Sequence, residues 1–172
     1  ILNFFHQDDS LNDNWNKLKA YTVKTFEYMN KNFGEYPYKQ YSVIQGGDGG
    51  MEYPMCTLIT SSGSFGGLVS VTVHESIHSW FQGLLATNES KYEWMDEGFC
   101  TFAQYRALNY VYNKKPLNPL ARNYGSYYRL IESGLQEPLT THADFYNLNY
   151  AYKFIQNTIH KIYTYREKGV NT

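Results

Sequence analysis

The pentapeptide His74-Glu75-Ser76-Ile77-His78 constrains this chain more than any other feature of its sequence. On an α-helix, side chains four positions apart lie nearly above one another, so a helix here would direct both imidazoles at one point. Glu75 would lie on the same side but offset, within reach of a metal-bound water and not of the metal. Two neutral imidazoles leave a catalytic zinc ion in need of a third protein ligand. The motif therefore predicts a helix at this position and a third ligand elsewhere in the chain.

Glu97 is the candidate for the third ligand, because it lies 19 residues after His78 and on the next predicted helix. With this chain's His and Glu frequencies, the pentapeptide arises by chance roughly once in a hundred such sequences. A Glu at one fixed later position lowers that frequency to about one in two thousand. The alternative is a salt-bridged helix face or a pair of core histidines. We expect His74, His78 and Glu97 to bind one Zn²⁺ per chain and to leave one position open for water.

The pattern of apolar residues predicts an α+β fold, with a small sheet followed mostly by helices. Apolar residues at spacings of three and four predict helices over residues 12–33, 68–85, 94–112 and 120–135. β-forming residues predict a strand over 41–44 and an extended run over 51–60. Pro54 lies within that run, and proline restricts it to a sheet edge or to an interrupted strand.

Composition excludes several classes of protein. Apolar residues make up 42% of the 172 residues, enough for a core, so a wholly disordered chain is excluded. The 15 basic and 16 acidic residues leave a formal net charge of -1, so nucleic acid is not an expected partner. No stretch approaches the roughly 18 consecutive apolar residues of a transmembrane helix, so no membrane span is expected. Cys56 and Cys100 are expected to be free thiols, although one bridge between them is an alternative.

Two further blocks accompany the metal motif. Residues 94–99 read Trp-Met-Asp-Glu-Gly-Phe, and residues 49–53 read Gly-Gly-Met-Glu-Tyr. The first is similar to the W-x-[ND]-E-G-[FL] block, and the second to the G-x-M-E-N exopeptidase motif, of the aminopeptidase N family of gluzincin metallopeptidases. The chain also resembles that family in the 18 residues that separate His78 from Glu97. The resemblance implies a thermolysin-like zincin catalytic core and a zinc aminopeptidase activity on peptides.

The resemblance also implies roles for the residues of the metal motif. The three expected ligands would bind zinc, and Glu75 would act as general base on the zinc-bound water and then pass its proton to the leaving amine. The chemistry agrees, since zinc lowers the pKa of a bound water to about 7 and polarises the scissile carbonyl. Asp96, beside the ligand Glu97, would either orient an imidazole or act as a charge at a helix N-terminus.

The G-x-M-E-N resemblance implies a substrate-binding role for the second block. Glu52 would bind the free α-amine of a peptide, which makes the expected partner a peptide with a free N-terminus. The extended run at Gly49 and Gly50 would hold that peptide as an added strand. Without the resemblance, a Glu on such a strand is more simply a solvated edge residue. Tyr53 stands where the family has Asn, which affects the expected fit of the substrate.

The tail of the sequence departs from the family pattern. The family stabilises the tetrahedral intermediate with a tyrosine in a Y-x-K-G context, and here Lys168-Gly169 is preceded by Tyr165, one residue too far upstream. Tyr165 would serve through a local insertion, and Tyr152 and Tyr163 are the nearby alternatives. Cys100 takes a place that the family fills with a small residue, and we expect it to be a buried helix-packing thiol.

The family's catalytic unit has a β-sandwich before the catalytic domain and a helical domain after it. We therefore expect residues 1–172 to form a single, partial catalytic domain, with those flanking domains absent and apolar surface exposed where they would pack. A gluzincin endopeptidase with the same metal site is one alternative. A non-catalytic or truncated zinc-binding fragment is another. The sequence indicates no cellular compartment.

Overall fold

The computed structural model describes residues 1–7, 12–47, 49–60, 63–89, 91–92, 94–114 and 119–134. The strands in these residues are β1 (Leu2–Phe5), β2 (Tyr41–Gln45), β3 (Gly50–Tyr53) and β4 (Cys56–Ile59). The α-helices are α1 (Asn12–Asn32), α2 (Phe65–His78), α3 (Phe99–Val111) and α4 (Pro119–Glu132). The predicted α+β fold is confirmed, and the helices that follow the small sheet carry the metal motif.

The strands form one sheet in the order β1-β2-β4-β3. β1 pairs with β2 and β2 with β4 in parallel, whereas β3 pairs with β4 antiparallel and lies at the edge. The predicted extended run is thus a hairpin, and it turns at Pro54 and at Met55, which has a φ of 60°. Proline lacks the N–H that a continuous ladder needs, which explains the interruption. β1 was not predicted, because four residues without flanking turn signals carry too little pattern.

The helix α2 lies at the centre of the fold. It contacts β3 and β4 on one side and packs against α1 and α3. The core between these elements consists of fully buried side chains, among them Trp15, Leu18, Met29, Val43, Ile59, Val69, Val73, Ile77, Ala103 and Ala107. Each large apolar side chain buried in this way contributes about 1.5–3 kcal/mol of transfer free energy. This packing sets the position of α2 relative to the edge strand β3.

The boundaries of α2 differ from the sequence prediction at both ends. The helix begins at Phe65, three residues before the predicted start, because the Ser64 side chain caps it by accepting a hydrogen bond from the Gly67 N–H at 3.1 Å. After His78 the chain continues as a first π-helical segment, Ser79–Leu84. A second π-helical segment, Trp94–Gly98, precedes α3. Such wider turns are frequent at functional sites, and apolar periodicity does not distinguish them from α-helix.

The sequence predicts no membrane-spanning helix. No helix in the described part of the chain is long and apolar enough to cross a membrane.

Candidate metal and active site

The three predicted metal ligands lie together where the end of α2 meets the second π-helical segment. Nε2 of His74 is 3.1 Å from Oε2 of Glu97 and 3.2 Å from Nε2 of His78. Nε2 of His78 is 3.9 Å from the same Glu97 oxygen. Tetrahedral zinc with bonds of about 2.0–2.1 Å places its ligand atoms about 3.3 Å apart. The separations and the chemistry of these atoms therefore fit one zinc ion, and zinc binding stays a prediction.

The local structure explains this convergence. His74 and His78 lie one turn apart on α2, and their rings meet at 84° with centroids 4.8 Å apart. Asp96 and Glu97 are consecutive in the second π-helical segment, and both contact His78, Asp96 at Nδ1 and Glu97 at Nε2. Two adjacent acidic residues therefore contact the two ring nitrogens of His78.

Asp96 lies behind His78, on the side away from the other two ligands. Nδ1 of His78 is 2.6 Å from Oδ1 of Asp96, and the two side chains are 1% and 2% exposed. The N-cap of α3 is Gly98, and no side chain caps that helix end. The structure thus shows Asp96 in contact with an imidazole. Asp96 also lies in the first turn of the second π-helical segment, and its role as a charge near a helix N-terminus stays a prediction. Cys100 is fully buried, as expected for a packing thiol, and its Sγ also donates to Oδ1 of Asp96 at 3.6 Å.

Burial and neighbouring charges alter the acid–base properties of this cluster. Burial raises the pKa of Glu75 to about 7, and the Glu52 carboxyl adds to this while the two imidazoles oppose it. Burial lowers the pKa of His78, but the hydrogen bond and charge of Asp96 outweigh that effect and raise it to about 9. The hydrogen bond to His74 lowers the pKa of Glu97. A buried carboxyl with a pKa near neutrality is typical of general-base sites.

The edge strand β3 passes unusually close to α2. A Cβ atom at Gly50 would lie 2.6 Å from Oε1 of Glu75 and 2.6 Å from Cγ1 of Val71. Two residues further along the same strand, a carboxylate oxygen of Glu52 lies within 4.8 Å of ligand atoms of Glu75 and His78. Gly49 precedes the strand with a φ of 79°, which favours glycine. Gly50 and Glu52 therefore lie beside the metal cluster, and the substrate-binding role of Gly49, Gly50 and Glu52 stays a prediction.

Comparison with known proteins agrees with this arrangement. A model described as the peptidase family M1 domain matches residues 19–128, which include the metal cluster and the edge strand. The chain belongs to peptidase family M1. The resemblance to a metallopeptidase family that the motifs indicated is confirmed.

Named relatives of this M1 chain are aminopeptidases. Aminopeptidase B of rat, mouse and human is 40% identical to it over 83 residues, which are 44% of this chain and 13% of the relative. Mouse aminopeptidase Q is 33% identical over 51 residues, which are 30% of this chain and 9% of the relative. The chain thus matches only a small part of each relative's length. No solved structure matches it significantly.

A cavity of about 380 Å³ adjoins the metal cluster of this M1 chain. It lies between the β3–β4 turn and the first π-helical segment, and Glu52 and His78 form part of its wall. Tyr38 and Gln82 also line it, and no sequence pattern indicated either residue. Ligand sites are commonly concave spaces of about this size.

The sequence predicts an intermediate-stabilising tyrosine near the end of the chain. Tyr165 lies outside the described residues, and so do its alternatives Tyr152 and Tyr163. The hypothesis about them stays a prediction.

Proposed function

We propose that this chain is the metal-binding core of a zinc aminopeptidase, which hydrolyses the first peptide bond of a peptide with a free N-terminus. The observation that carries the proposal is the convergence of His74, His78 and Glu97, with separations of 3.1, 3.2 and 3.9 Å between their ligand atoms. The membership of peptidase family M1 supports it. The aminopeptidase names of its relatives support it further.

The three ligands would hold Zn²⁺, which supplies Lewis-acid activation of the scissile carbonyl and lowers the pKa of water. Glu75 is the general base. Its carboxylate lies beside the ligand cluster and is 8% exposed. It would accept a proton from the attacking water and return that proton to the leaving amine. The buried position also excludes competing solvent from this proton transfer.

Glu52 and the edge strand would bind the substrate. β3 lies at the edge of the sheet that the described residues form, so its outer backbone groups would pair with an extended peptide. Glu52 would pair with the α-amine of that peptide, and it would thereby place the first peptide bond beside the metal ligands. Because Gly50 has no side chain, the strand approaches Glu75 closely enough for this alignment.

The test compares the wild-type chain with Glu75→Gln. Wild type is expected to retain about one zinc per chain after dialysis against metal-free buffer and to release the first residue of unblocked aminoacyl substrates. Glu75→Gln is expected to retain zinc and lose hydrolysis, because the amide cannot accept the proton. No retained zinc, or equal hydrolysis by the variant, would overturn the proposal. Zinc retention without wild-type hydrolysis would instead support the non-catalytic alternative.

A further inference from the structure

A second cavity, of about 350 Å³, lies beside the start of the edge strand β3. Its walls come from the turn before β3, from the end of β4 and from the first turns of α2: Gly47, Gly49, Thr60, Gly67, Leu68 and Val71. The described residues that line it carry no charged side chain. Small-ligand sites are commonly concave and mainly apolar, so this space suits an uncharged group of a ligand.

Hydrogen bonds hold both walls of the second cavity in place. The Gly49 N–H donates to Oγ1 of Thr60 at 2.6 Å, and the Thr60 N–H donates to the Gly49 carbonyl at 3.1 Å. On the facing wall, Ser64 caps the first turn of α2 by accepting from the Gly67 N–H at 3.1 Å. The second cavity therefore exists in the free chain, as is usual for ligand sites.

The second cavity and the metal cluster follow each other along β3 and α2. Val71, in the cavity wall, precedes His74 by three residues of α2, a rise of about 4.5 Å. A Cβ atom at Gly50 would lie 2.6 Å from Cγ1 of that valine, so the strand runs close beside it. Glu52, two residues further along the strand, lines the cavity of about 380 Å³ described above. The two cavities thus lie at opposite ends of β3.

The proposed position of the α-amine determines which part of a peptide reaches the second cavity. Glu75, the proposed general base, lies against the strand at Gly50. A peptide with its amine at Glu52 and its first peptide bond beside Glu75 therefore runs from Glu52 toward Gly49. An extended chain advances about 3.3 Å per residue, so its second residue lies level with Gly50, next to the second cavity.

We propose that the second cavity binds the side chain of the residue that follows the scissile bond, and that it favours an uncharged, apolar side chain. Leu68 and Val71 supply the apolar contacts. Glycine destabilises a helix relative to alanine, and Gly67 keeps the helix wall of the cavity free of a side chain. This inference rests on the proposed function and deepens it, since it concerns the second residue of the same peptide.

The test fills the second cavity from its helix side. Residues 67 and 71 lie one turn apart on one face of α2, so the new side chain of Gly67→Leu would lie over Val71. The backbone has room for it, since an added Cβ would lie 3.4 Å from Oγ of Ser64, an ordinary contact. Gly66→Leu is the matched control, because Gly66 is in the same turn and is not among the described lining residues.

The first measurement is kcat/KM of the zinc-loaded chain on dipeptides that share alanine as their first residue. The second residue is glycine, leucine or aspartate, and the wild type is expected to prefer leucine. A pocket that loses room for a few methylene groups discriminates by about 10–200-fold, so Gly67→Leu should lose about 10-fold or more on the leucine peptide. It should change little on the glycine peptide, and Gly66→Leu should match the wild type on all three.

The second measurement needs neither metal nor hydrolysis. The backbone amide resonances of the metal-free chain are followed by NMR while the alanyl-leucine dipeptide is added. Resonances of Gly49, Thr60 and Gly67 are expected to shift in the wild type. Gly66→Leu should keep these shifts at Gly49 and Thr60, and Gly67→Leu should lose them.

The outcomes separate this inference from the proposed function. If the wild type hydrolyses no dipeptide, the proposed function fails, and the amide shifts alone decide whether the second cavity binds the peptide. If the wild type hydrolyses dipeptides, equal loss by Gly67→Leu on all three peptides, or a wild-type preference for aspartate, overturns the role of the cavity. Absence of the amide shifts in the wild type overturns it as well. If Gly67→Leu does not fold, Gly67→Ala decides, and no selective loss on the leucine peptide overturns the role.

Discussion

Gly50 and Glu75 meet so closely that a Cβ atom on the glycine would lie 2.6 Å from Oε1 of the glutamate. This contact joins the edge strand to the helix that carries the metal motif. The same atom would also lie 2.6 Å from Cγ1 of Val71, so no single side-chain movement would make room for it. The gap between strand and helix is therefore set by the absence of a side chain at this position.

Gly50→Ala is expected to push β3 away from α2 and to displace the Glu75 carboxylate. Overpacking of this kind costs about 1–3 kcal/mol of unfolding free energy, which denaturant unfolding measures. The rate of hydrolysis of unblocked substrates should fall by more than the loss of folded protein accounts for. Gly47→Ala is the matched control, since nothing lies within 4 Å of its added Cβ. Wild-type stability and activity in Gly50→Ala would contradict the close approach.

The amine-binding role of Glu52 predicts a selective loss in Glu52→Gln. A hydrogen bond to a charged group contributes about 1.5–3 kcal/mol, so kcat/KM on unblocked aminoacyl substrates should fall about 10–100-fold. N-acetylated substrates lack the charged amine and should be unaffected by the change. Measurement of kcat/KM for unblocked and for N-acetylated substrates, with the wild type and with Glu52→Gln, checks this. Equal use of blocked and unblocked substrates by the wild type would favour the endopeptidase alternative.

The ligand role of Glu97 predicts that Glu97→Gln binds zinc much more weakly than the wild type. A ligand that binds only the folded chain stabilises it by about 2.7 kcal/mol at a concentration of 100 Kd. Added zinc should therefore raise the unfolding midpoint of the wild type, and a chelator should reverse the increase. Glu35→Gln changes an exposed glutamate and should respond to zinc as the wild type does. A wild-type response of Glu97→Gln to zinc would remove Glu97 from the ligand set.

The metal-free chain is expected to lose stability as the pH rises. The pKa of Glu75 is raised from 4.5 to about 7, so the folded chain binds its proton more tightly than the unfolded chain does. The pKa of His78 is raised from 6.5 to about 9 and has the same sign. Both contributions are present below the unfolded pKa and are lost as the pH passes the folded value, on the order of 3 kcal/mol each at most.

Urea unfolding of the metal-free chain between pH 5 and 9 measures this loss. Glu75→Gln should flatten the decline between about pH 4.5 and 7, because the amide does not ionise. Asp96→Asn should reduce the decline between about pH 6.5 and 9, because the charge that raises the pKa of His78 is removed. A stability that rises over this whole range in the wild type would contradict both assignments.

Much of the helical structure was predictable because it follows from local periodicity. The apolar positions of α1 that recur at spacings of three and four include Trp15, Leu18 and Met29, and these three side chains are fully buried. The four-residue strand β1 carries no comparable signal, since it depends on parallel pairing with β2, which is distant in the sequence. The π-helical segments were also missed, because a single wider turn leaves the apolar pattern almost unchanged.

The sequence by itself determined that His74 and His78 would face one point, because a separation of four residues is a property of any α-helix. It also indicated Glu97 as the third ligand and Glu52 as a residue of the substrate site, through spacing and motif. Only the tertiary structure decided that Asp96 contacts His78 and does not cap α3, and that Gly50 passes beside Glu75. These relationships depend on how α2 packs against β3 and against the turn before α3. Such packing is set by contacts between distant parts of the chain, which no local pattern encodes.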